Sequence, residues 1–130
     1  MSDDPFVQAL HDGGVAPERF GHRDHVRVAW LLLSRHGAAA GSDTFAAGLR
    51  RFAAAHGVAD RYHETLTQFW LRLVAHAMGE RPELDDPDVF VKAFPALLDK
   101  SLPERHWSRE LLWSDAARRA FVEPDLLALP

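Results

Sequence analysis

Apolar residues recur along this chain at intervals of three and four, the spacing that gathers them on one side of an α-helix. From His25 such a stripe continues through Ala29 to Leu32 or Leu33, and a later one runs through Val89, Phe90, Ala93, Phe94 and Leu97. No segment alternates apolar and polar residues for long, so strands are not expected. Helix punctuation is plentiful. Asp4-Pro5 opens a short helix that Gly13-Gly14 stops, because proline suits a first turn and glycine an exit. A second helix is expected over His22 to His36, ended by Gly37. After a short Ala-Ala-Ala-Gly connection at 38–41, Ser42-Asp43 is expected to cap a third, which Gly57 ends. Asp60 can cap a fourth, from about Arg61 to Met78. Asp86-Pro87 starts a fifth, which Pro95 should kink or end. Arg105 to Leu112 and Ser114 to Phe121 suggest two short helices or one bent one. The tail from Val122 carries prolines and leucines, and is expected to lie extended across the core.

Four long amphipathic segments with short connections predict an all-α fold: a compact single-domain bundle over residues 1–130, with about five to seven helices. Trp30, Phe69, Trp70, Phe90, Phe94, Trp107 and Trp113 are its expected bulky filling.

Composition narrows the partners. The 130 residues carry a net charge of −4 and are 47% hydrophobic, which suits a globular domain rather than a disordered segment. The basic face that nucleic acid or an anionic membrane would need is missing. The longest apolar run, Val28 to Leu33, is far below a membrane span. The opening Met-Ser-Asp-Asp-Pro lacks the basic and apolar regions of a signal peptide, so a cytoplasmic setting is expected. A small molecule or a second copy of the chain, as a homodimer, remains as partner. With no cysteine, any metal must be held by imidazole nitrogen and carboxylate oxygen.

Candidate chemistry gathers in two segments, Phe20 to Val26 and Tyr62 to Thr67. His22 and His25 are three residues apart and share a helix side. His25 begins the apolar stripe. On a helix from Arg61, His63 aligns with Leu66, Thr67 and Trp70, again inward. Three imidazoles entering one core from neighbouring helices is a geometry from which bundles build metal sites. His22, His25 and His63 are therefore expected ligands for a divalent metal, zinc or iron, with an open position for catalysis. Glu64 is a further ligand or base, although it is rotated about 100° from His63 on an ideal helix. Without a metal, His63 as base and Tyr62 as donor can run proton transfer. Arg105 and Arg109, four apart, can clamp an anionic group, while Trp30, Trp70 and Thr67 are expected substrate neighbours. His76 is expected to reach the same cavity further along the axis. The bland alternative also stands: the histidines are hydrogen-bonded structural residues, and the chain is a non-enzymatic module that binds a small molecule or a protein.

The stretches F-x-H-x-x-H-V (Phe20 to Val26) and Y-H-x-T-x-T (Tyr62 to Thr67) resemble those of a set of short, all-helical bacterial proteins. The likeness continues through Ser108 to Glu110, Ala117-Arg118 and Pro124 to Leu126. It implies that the two histidine segments travel together, and it implies no activity.

Overall fold

A computed structural model describes residues 4–130; Met1 to Asp3, part of the N-terminal stretch read above, lie outside the described residues. Among the described residues there are seven α-helices and no strand: α1 (Pro5–Asp12), α2 (His22–His36), α3 (Ala38–Ala55), α4 (Glu64–Glu80), α5 (Pro87–Ala93), α6 (Arg109–Leu112) and α7 (Asp115–Arg119). None of them is long and apolar enough to cross a membrane. Short 3₁₀ turns at Pro17–Arg19, Ala59–Arg61, Pro95–Leu98 and Leu102–Arg105 join the helices. The all-α expectation holds.

Local signals account for most boundaries. The Asp4 carboxylate accepts from the amides of Phe6 and Val7, and that of Asp86 from Asp88 and Val89, each with proline at the first helical position. Ser108 and Ser114 cap α6 and α7 in the same way through their hydroxyls. Pro95 ends α5 as expected, because its ring cannot continue the hydrogen-bond ladder.

Three boundaries differ from expectation. The alanines at 38–40 are helical rather than a connection, and Ser42-Asp43 is not a cap. Alanine is the best helix former, and Gly37 at φ 86° makes the whole turn between α2 and α3 alone. The fourth helix begins at Glu64, so His63 is its N-cap and not a member of its inward stripe. The stretch from Arg105 to Leu112 divides into a 3₁₀ turn and a single turn of α-helix.

Helix α2 is the hub, packing against α3, α4 and α5. One apolar cluster runs through the molecule, from Val7 and Leu10 through Val28, Phe69 and Phe90 to Trp107 and Leu112. Arg27 ties three elements at the rim, 3.2 Å from Asp4 and 2.9 Å from Asp88. Gly41 sets how closely α2 and α3 approach. A Cβ there would lie 2.7 Å from both the carbonyl oxygen of Leu32 and the Cα of Leu33, so backbone would have to move. Gly41→Ala should therefore destabilise the fold by about 1–2 kcal/mol, despite the gain in helix propensity. Urea titration followed by circular dichroism checks this. A stabilised variant would show that the two helices separate freely.

The C-terminal tail is fastened to the body. Leu126 and Leu127 donate their amides to the His106 carbonyl, and Asp125 accepts from both the amide and hydroxyl of Ser108 at 2.7 Å. Thr65, fully buried on α4, donates to the carbonyls of Ala117 and Ala120 and accepts from the Val122 amide. The tail thus runs without regular structure, but it bends at 125–127 and leaves Leu126 and Leu127 exposed on the surface rather than lying extended across the core.

Candidate functional site

A pocket of about 340 Å³ opens between α2, α3 and α4, within the range of small-molecule sites. Val26 and Ala29 of α2 form one wall, Phe45, Leu49 and Phe52 of α3 a second, and Leu66, Trp70 and Val74 of α4 a third. Phe20, just before α2, and Val58, just after α3, complete an apolar surround. Polar groups are few: His25, Arg61, Tyr62, His63 and Thr67. The pocket lies where α3, packed along most of its length on α2, touches α4 more lightly.

The three histidines predicted to converge have separate partners. The His22 Nε2–H donates to the Leu97 carbonyl at 2.7 Å, and the ring stands edge-on to Trp70 with centroids 4.4 Å apart. His63, buried, uses both nitrogens. Its Nε2–H donates to the Leu112 carbonyl at 2.6 Å, and its Nδ1 accepts from the Leu66 amide at 3.1 Å, capping α4. Burial lowers the pKa of both rings, the carbonyl bonds offset this in part, and the nearby cations Lys100 (for His22) and Arg118 (for His63) lower it further.

His25 is different. Its amide donates to the Gly21 carbonyl at 3.0 Å, but its ring makes no hydrogen bond to the described residues; the ring meets Phe20 at 4.6 Å and Phe45 at 6.2 Å, both edge-on. Among the described residues no fully buried side-chain nitrogen or oxygen lacks a partner. The unbonded nitrogens of His25 are therefore those that reach the open space of the pocket. Burial, helped by the positive charge of His22 and Lys100, pushes this imidazole down to about 4, so it is neutral near pH 7.

This arrangement does not fit a three-histidine metal centre. A ligating imidazole must present a bare nitrogen to the ion. His63 has none free, and the Nε2 of His22 is turned to a carbonyl. Among the described residues no group of three histidine, aspartate or glutamate side chains is placed to hold a metal ion. The reason is local. As an N-cap, His63 leaves the helical stripe on which its convergence with His25 was expected, although it still borders the pocket.

The remaining predicted residues fall in three places. Tyr62 lines the pocket, but its hydroxyl donates to Glu64 at 2.5 Å, and Arg50 reaches both side chains at 3.2 Å. Burial and the bond to Glu64 push the Tyr62 phenol up to about 12, so its proton stays put. Glu64 also accepts from Gln68 and borders a separate, more open groove, outside the pocket that His25 lines. Trp70 and Thr67 line the pocket, the Thr67 hydroxyl donating to the His63 carbonyl at 2.8 Å. Trp30 does not; it is buried against Phe90. Arg105 and Arg109 do not form a clamp, because a break in the helix separates them, and the exposed Arg109 pairs with Glu104. His76 points to solvent beside Glu80 rather than into the cavity. Trp113, expected in the core, is half exposed, edge-on to His63 with the Arg118 guanidinium over its face.

Sequence reasoning missed the wall supplied by α3. Phe45, Leu49 and Phe52 are four and three residues apart, a helical stripe that was legible but gave no sign of facing a void rather than the core. Comparison with protein-family models, curated proteins and solved structures finds no match to this chain.

Proposed function

We propose that this protein binds a small, mainly apolar molecule in the pocket between α2, α3 and α4. The observation that carries the reading is His25: a neutral imidazole with no hydrogen-bond partner among the described residues, facing an aromatic-walled pocket. A guest that fills the pocket excludes water from the ring nitrogens, and leaving them unbonded would cost about 1–3 kcal/mol, so a guest that supplies the bond is favoured over one that does not. A handful of polar groups in an apolar surround is also the usual make-up of a small-molecule site.

Binding is favoured over catalysis by the state of the other groups. His63 has no lone pair to spare for a substrate proton, and the Tyr62 proton is held by Glu64. Metal chemistry would need donors that the surrounding residues do not present.

Indole, a two-ring molecule with one N–H, is a suitable probe. It should raise the melting temperature saturably, with one molecule bound per chain by calorimetry. Leu49→Trp, which fills the pocket from α3, should abolish that rise while leaving the helical circular dichroism intact. The reading fails if millimolar indole has no effect, or if it stabilises the filled variant equally.

A further inference from the structure

Deepening this reading and resting on it, we infer that the pocket takes an uncharged, two-ring aromatic molecule carrying a hydroxyl group, and that His25 is the residue that engages the hydroxyl.

Size sets the first limit. An engineered apolar cavity on the order of 150 Å³ holds one benzene. The present pocket, at about 340 Å³, is roughly twice that and suits two fused rings. The walls set the second. Phe20, Phe45, Phe52 and Trp70 present faces and edges from three sides, and aromatic guests gain from offset and edge-on contacts with such rings beyond the area they bury.

The third limit is chemical. A neutral imidazole offers one N–H and one bare nitrogen. A hydroxyl serves either, donating to the bare nitrogen or accepting from the protonated one. Carbonyl and ether oxygens can only accept, and a plain hydrocarbon leaves the ring unsatisfied. A carboxylate is disfavoured for a different reason. It must shed its hydration to enter a mainly apolar pocket and gains only the neutral imidazole's N–H in return, because the ring is protonated in roughly one molecule in a thousand at pH 7. The charged groups around His25 enter here. His22 and Lys100 act on it directly, Arg61 and the neutral Tyr62 and His63 share the pocket, and α3 contributes no charged side chain to the lining. The charges of His22 and Lys100 oppose protonation of the ring.

The test compares 2-naphthol, naphthalene and 2-naphthoate, titrated at pH 7 into the full chain and followed by amide NMR shifts. The shape is constant across the three probes; only the polar group changes. Naphthol should bind about tenfold more tightly than naphthalene, the net worth of one hydrogen bond. Naphthoate should bind most weakly, and gain as the pH falls towards 5. In His25→Phe, which keeps the ring contacts, naphthol and naphthalene should bind alike, whereas His25→Gln, with a donor and an acceptor, should retain a preference for naphthol. Equal binding of naphthol and naphthalene by the wild type overturns the proposal. So does a preference that survives His25→Phe, or naphthoate binding tightest at pH 7. In each of those cases, indole binding that is lost in Leu49→Trp leaves the pocket reading standing. If neither indole nor any naphthalene binds, both fall together.

Discussion

Trp107→Ala is expected to lower the stability of this protein by about 3–5 kcal/mol, a large part of the ~5–15 kcal/mol typical of a domain. Trp107 is fully buried, edge-on to Phe69 at 5.3 Å and to Phe121 at 6.2 Å. It lies after the 3₁₀ turn at Leu102–Arg105, so its indole joins α4 to the C-terminal segment. The Nε1–H donates to the Val122 carbonyl at 3.0 Å. Truncation would open a cavity and orphan that carbonyl at once. Trp107→Phe separates the two contributions, since it keeps most of the bulk and drops the donor; a loss of roughly 1–2 kcal/mol is expected. Urea unfolding, followed by both circular dichroism and tryptophan fluorescence, measures each variant. An unchanged midpoint for Trp107→Ala would mean that the indole does not join the tail to the core.

The second large effect is acid destabilisation traceable to His25. Its imidazole is pushed down from 6.5 to about 4 by burial first, then by the charges of His22 and Lys100. As the pH falls below 6.5 the unfolded chain takes up this proton and the folded chain does not. The unfolded state therefore binds more protons, and stability rises with pH across that window. The stability is fully present above about 6.5 and is lost progressively as the pH falls towards 4. At pH 4.5 this single group should remove about 2.5 kcal/mol relative to pH 7.5, by the usual 1.36 kcal/mol per pH unit. His22 and His63 are also lowered and act in the same direction. The informative comparison is between wild type and His25→Phe, in which the ring contacts persist and the titrating nitrogens are gone. Urea midpoints at pH 7.5 and 4.5 should converge or cross as the variant escapes the loss. Parallel pH profiles would show that His25 is charged or well solvated in the native state.

Both effects bear on the binding reading. The property that makes His25 destabilising in acid, a largely desolvated ring with no hydrogen-bond partner among the described residues, is the one that makes it available to a ligand. A guest that bonds only the neutral ring should deepen the acid effect, and one that accepts from the imidazolium should weaken it. His63 shows the opposite outcome for the same residue type. Its two nitrogens are satisfied by the Leu66 amide and the Leu112 carbonyl, so it stabilises the start of α4 and has nothing to offer a guest.

The amino-acid sequence by itself determined the helical class, most helix ends and the inward facing of His25. These depend on interactions within a few residues: carboxylate and hydroxyl caps at Asp4, Asp86, Ser108 and Ser114, the proline stop at 95, and apolar spacing along each helix. It also placed Thr67 and Trp70 on the side of α4 that the pocket uses. Tertiary structure decided what each polar atom meets. The partner of the His63 Nε2 lies 49 residues away and that of the His22 Nε2 lies 75 away, and no local pattern carries such pairings. Only packing determined that the Phe45, Leu49 and Phe52 stripe borders open space, because a void is the space left by three helices whose spacing Gly41 and the α2–α3 contact fix together. A periodicity says which way a side chain points. Whether it finds atoms or space there is settled by the rest of the chain.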